Sequence, residues 1–173
     1  MTTVPSVLPA APAFPRLSPG RWPDGAGSNL GKLPPRDRVF ALEAAIQGLD
    51  NQLAIPELTS HYLAGGVYVR ELKLPAGTVA TGYIHRCDHV VILLGDVSVY
   101  DETGERRYTG INIFTSKAGI KRAAYAHEDS RFITAHRLNN PTETDITAIE
   151  RELVTTTYQD FEEFMLNKQG LLP

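Results

Sequence analysis

From Gly66 onward the apolar positions of the chain alternate with polar ones, and before Gly66 they do not. GVYVRELKL, TVATGYIH, HVVILLG, DVSVY, RRYTG, INIFTS, IKRAAYAH and RFITAHRL are short and rich in Val, Ile, Tyr and Thr. Turn formers separate them: Pro75-Ala76-Gly77, Gly95-Asp96, Asp101 to Gly104 and Ala118-Gly119. A period of two between such punctuation predicts about eight strands. They fill roughly 75 residues, which leaves no room for crossover helices, so antiparallel pairing in a barrel or sandwich is expected.

Elsewhere the period is helical. Val39, Phe40, Leu42, Ile46 and Leu49 form an apolar stripe that predicts one helix over Arg36–Gln52. Behind the strands, Thr142–Glu150 reads as a capped helix, with Pro141 or Thr142 at its start, acidic residues in its first turn, and Ile146, Ile149 and Leu153 on its apolar side. A last helix over Asp160–Lys168 would pack Phe161, Phe164 and Met165. The chain thus divides into an arm over residues 1–35, a helix and connection over 36–65, a β-barrel over 66–140 and C-terminal helices over 141–173.

Composition sets the arm apart. Nine of the twelve prolines lie at or before Pro56, and six of them in the first thirty residues. Pro9, Pro12 and Pro15 recur every third residue, which suits an extended polyproline II course. Proline removes backbone donors and the run has few large apolar residues, so this segment builds no core of its own. It is expected either to stay a free tail or to lie along a neighbouring subunit.

Net charge −3 and a pI near 5.9 give no basic stripe, so no nucleic-acid partner is expected. One cysteine, Cys87, rules out an intrachain disulfide and is compatible with a reducing compartment. No apolar run approaches the roughly 20 residues of a membrane helix, and the proline-broken start makes a poor signal peptide. The expectation is a protein made in the cytoplasm, with no membrane partner.

Two stretches resemble the cupin superfamily. PAGTVATGYIHRCDHVVILLGDVSVY is similar to its first motif: a Pro-x-Gly turn, a His-x-His pair, a Glu about four residues on, and a later Gly. FTSKAGIKRAAYA is similar to the second, in which a turn glycine precedes a metal-binding histidine by three residues. The wider sweep from HYLAGGVYVRELKLPAG through GIKRAAYAHEDS to ITAIERELV resembles small cupin-like proteins of tailed bacteriophages. The resemblance implies a mainly β fold: a small antiparallel jelly-roll barrel with the Pro-rich arm and short flanking helices attached.

Matched position by position, the motifs put Tyr83 at the first ligand, His85 at the second, His89 at the glutamate and Arg122 at the final histidine. Arg122 has no lone pair to offer a metal, and Tyr83 is a weak ligand. These two are candidate ligand-binding residues instead. His85 and His89 lie four apart, about 13 Å along one straight strand, so both reach one ion only if the chain turns at Arg86-Cys87-Asp88. His127 and His136 on later strands would complete a His85, His89, His127, His136 cluster. An inward Arg122 would pair with Asp88 or Glu71 or hold an anion.

Three functions follow, in order of preference. The first is a virion-associated structural or assembly protein on a degenerate cupin barrel, with no catalytic residue and no cofactor. In it Met1–Pro35 would dock on other virion proteins or further copies of the chain. The second is an enzyme with one divalent metal on those histidines, acting on a small molecule, with Glu128 as an acid or base. The third is a small-ligand-binding protein acting inside the host.

Overall fold

The computed structural model describes residues 33–48 and 55–170, together with the short stretches 14–15 and 52–53. Helix α1 (Pro35–Gln47) starts on a proline, whose missing N–H costs nothing in a first turn. It stops before Gly48 rather than running to Gln52. Strand β1 (Phe14–Pro15) pairs with β2 (Gln52–Leu53) of the same chain. The rest of the arm before Leu33, and with it the expected docking on neighbours, lies outside the described residues.

A single turn of helix, α2 (Ile55–Leu58), leads into a seven-stranded antiparallel sheet. Its strands are β3 (Thr59–Ala64), β4 (Val67–Leu74), β5 (Val79–Thr81), β7 (His89–Asp101), β8 (Gly104–Ser116), β9 (Ala123–Ala126) and β10 (Ser130–Arg137). Pairing follows the order β3-β4-β10-β7-β9-β5, with β8 on the other side of β7. The mainly β, antiparallel expectation therefore holds. A separate two-stranded ladder joins β6 (Ile84–His85) to β11 (Val154–Thr155), beside helices α3 (Ile146–Leu153) and α4 (Tyr158–Lys168).

Gly95-Asp96 is not the turn its sequence suggested. HVVILLG and DVSVY are one strand, β7, and RRYTG and INIFTS are likewise one strand, β8. Along its far edge β7 pairs with β10 up to Leu94 and with β9 from Val97. The sheet curls where the partner changes, at Gly95 (φ +113°). Strand β3 also went unpredicted, because an edge strand with most side chains exposed has no buried face to impose a period.

The apolar core has three parts. Leu74, Leu93, Val97, Val99 and Ala126 fill the curl of the sheet. Val39, Leu42 and Ile46 of α1 close it against Val79, Ala123 and Tyr125. Ile149 and Leu153 of α3 pack with Tyr68, Tyr83 and Leu138 at the other end. Asp145 rather than Thr142 caps α3, accepting from the N–H of Thr147, and Thr157 caps α4 through the N–H of Asp160. Phe161, Phe164 and Met165 are only half-buried.

Candidate metal centre

His89 opens β7 and His136 lies near the end of β10. The register that sets Ala135 opposite Val90 makes them the next cross-strand pair, with both side chains on the inner face. His85 ends β6, and the chain bends at Arg86 to Asp88 before β7 begins. That bend folds His85 back over His89. Candidate ligand atoms of His85, His89 and His136 all lie within 4.8 Å of one another. The rings stack, with centroids 4.1 Å apart for His85 and His89, 4.9 Å for His85 and His136, and 4.6 Å for His89 and His136.

The other expected member stays away. His127 bonds Ser98 Oγ through Nε2 at 3.0 Å and meets the Tyr125 ring edge-on, so the expected four-histidine cluster is corrected to three. Glu128 is exposed in the connection between β9 and β10 and does not line the cavity beside the triad. Arg122 does line it, and its partners are Ser116 Oγ at 2.7 Å and Asp101 Oδ2 at 3.5 Å. The partners suggested from sequence are taken: Asp88 by Lys117, and Glu71 by Arg131 and Tyr62. Tyr83 is 6% exposed, its ring 5.6 Å from the Arg70 guanidinium, and it forms part of the cavity wall.

The donor set suits a transition metal. His89 and His136 are 4% and 3% exposed, and burial pushes both rings below the ordinary imidazole range. His136 falls to about 3, through burial and then the neighbouring His89 and Arg70. His85 falls well below the ordinary value, again mainly by burial, then by His89, His136, Arg70 and Arg122. Neutral imidazoles are the ligand form. His89 Nδ1–H donates to the Cys87 carbonyl at 3.1 Å, which leaves Nε2 as the acceptor. His136 Nδ1 lies 3.6 Å from Cys87 Sγ, and with the ring proton on that nitrogen its Nε2 is free to bind as well. His85 Nδ1 is buried with no described hydrogen-bond partner. Such an orphan costs about 1–3 kcal/mol, and a cation would satisfy it.

Geometry sets one condition. Two nitrogens bound at about 2.1 Å can be no more than about 4.2 Å apart, so the 4.8 Å spread closes by a small ring rotation. The adjoining cavity, about 70 Å³, is lined by Leu72, Leu74, Ala80, Ile120 and Phe132 as well as Thr81 and Arg122. That volume suits about two waters. His136 was the signal hardest to use in the sequence, because only the strand register brings it to His89.

No family model and no curated protein matches the chain. Among solved structures it is similar to KdgF from Halomonas sp., at 21% identity over 51% of this chain and 81% of that one, with a TM-score of 0.40. It is also similar to a cupin-2 domain-containing protein from Shewanella frigidimarina, at 11% identity over 45% and 79%, with a TM-score of 0.37. A third is an RmlC-like cupin family protein with a double-stranded β-helix fold from Methanocaldococcus jannaschii, at 15% identity over 48% and 82%, with a TM-score of 0.38. These are likenesses of fold alone. None bears on the kinship with phage proteins.

Proposed function

We propose that this chain is a metal-dependent cupin-type barrel acting on a small molecule, with one divalent cation held by His85, His89 and His136. The convergence of the three histidines, two of them almost fully buried, is the observation that carries this reading. A cation there would act as a Lewis acid with coordination positions left for water or substrate. The chain's own residues shape what enters. Leu72, Leu74, Ala80 and Phe132 exclude water from one side, and Arg122 offers N–H donors to an anionic group on the other. Among the described residues no carboxylate lines this cavity, and the phenol of Tyr83, kept protonated by burial, joins Arg122 as a hydrogen-bond donor at its wall.

Metal analysis after incubation with zinc, cobalt or nickel tests the proposal. One tightly held ion per chain, lost in His136→Ala and in His85→Ala, is the expected result. Substoichiometric metal that neither substitution changes overturns it.

A virion assembly role is the second reading, and one surface feature favours it. The pairing register sets Tyr62, Val67, Val90, Ile111 and Ile113 on the outer face of the sheet, 41–74% exposed, away from the triad. In it the occupant is a second copy of the chain or another virion protein made in the same host cytoplasm, with Met1–Pro35 as a further tether. Absence of the full-length protein from purified particles would end that reading.

A further inference from the structure

A second cavity, of about 250 Å³, opens where the β6–β11 ladder meets the start of α4. Tyr83, Arg86, Arg151, Thr155, Thr156 and Asp160 line it. Two arginines therefore border one space. Arg86 gives one hydrogen bond, from Nη1 to the Arg151 carbonyl at 2.7 Å, and stacks over the Phe164 ring at 4.9 Å. Its Nε is buried without a partner. Among the described residues neither Arg86 nor Arg151 has a carboxylate partner. Asp160, the one acid in the lining, is engaged by the Thr155 hydroxyl at 3.2 Å.

Uncompensated guanidiniums are rare where a carboxylate lies close, because each unpaired partner forgoes a charge-assisted hydrogen bond. Here the backbone forces the arrangement. Arg86 follows the last residue of β6, and its N–H is tied to the Leu153 carbonyl. Its aromatic neighbour on α4 holds the guanidinium flat. Arg151 belongs to the last turn of α3, where a basic residue suits the helix dipole. Thr156 and the positive end of α4 close the remaining side.

We propose that this cavity binds a tetrahedral oxyanion, a phosphate or phosphate monoester, through Arg86, Arg151 and Thr156. The Arg151 guanidinium, the remaining Nη2 of Arg86 and the Thr156 hydroxyl offer more donors than the two oxygens of a carboxylate accept, and a phosphate uses them. The site shares only the Tyr83 wall with the metal centre, and it stands whether or not a metal binds.

Titration of the full chain with inorganic phosphate in the presence of a chelator, followed by calorimetry or amide chemical shifts, tests it at constant ionic strength. Acetate forms a parallel arm. Saturable millimolar or tighter binding of one phosphate per chain is expected, with acetate weaker. Arg151→Gln, at an exposed position that leaves the fold intact, lowers the affinity about tenfold. Arg86→Gln does the same, and Arg106→Gln on the distant β8 changes nothing. Absence of saturable phosphate binding overturns the proposal, as does binding that Arg151→Gln leaves unchanged. Acetate binding as tightly as phosphate overturns the tetrahedral assignment.

Discussion

At the scale of single residues, Cys87 is the neighbour that orients the triad. Its carbonyl fixes His89 and its sulfur meets His136, so one residue in a bend sets two rings. Replacing such outer partners typically weakens a metal site 10- to 100-fold. Cys87→Val is therefore expected to cut metal affinity at least about tenfold in a competition titration. Cys87→Ser, which keeps a polar atom there, falls less. The triad also sets a pH dependence in the metal-free protein. An unfolded histidine binds its proton near pH 6.5, whereas folded His136 does so only at about 3. Between those values the unfolded chain holds more protons. The stability is thus fully present above about 6.5 and is lost as pH falls toward 3. Urea midpoints should drop from pH 6.5 to 5, before ordinary carboxylates titrate, and drop less in His136→Gln. A flat profile over that interval would show that the rings are not held neutral.

At the scale of elements, two devices hold the barrel to its shape. A Cβ on Gly95 would sit 2.2 Å from Ser130 Oγ and 2.9 Å from Ser130 Cα, at a φ of +113° that side chains resist. Gly95→Ala must push β10 away from β7, and a loss of about 3 kcal/mol or more in denaturant unfolding is expected. Gly110, opposite it on β8 with nothing within 4 Å, should tolerate Asn at far lower cost. The second device is Lys121, which is almost fully buried. Its Nζ donates to Glu43 of α1 at 3.0 Å and to the Gly82 carbonyl at 2.8 Å, and lies 4.7 Å from the Phe40 ring. Burial lowers its pKa against the opposing pull of Glu43. Glu43→Ala would strand the cation, with an expected cost of about 3 kcal/mol. Lys121→Met in that background should recover most of it, since a well-packed apolar pair replaces a buried ion pair at little loss.

At the scale of the whole molecule, the sheet has one face that carries the histidine triad and one turned outward, on which exposed apolar side chains lie among charged ones. Ile111 and Ile113 on β8 are 74% and 68% exposed, which a lone surface seldom keeps. If the outer face mediates assembly, light scattering will show self-association that Ile111→Lys with Ile113→Lys abolishes. A monomer at all concentrations in the parent protein would leave that face without this role. The sequence by itself determined the period-two segments, their antiparallel pairing and the helices that flank them, because alternation and capping are local. It also placed His85 and His89 and stated the condition under which they meet, a bend at Arg86 to Asp88. The fusion of four strand-like pieces into β7 and β8, the edge strand β3, the exclusion of His127 and the arrival of His136 were decided by the tertiary structure. Each depends on register, on which residue of one strand lies opposite which residue of another, and register is set by the whole sheet closing on its core rather than by any stretch of neighbours.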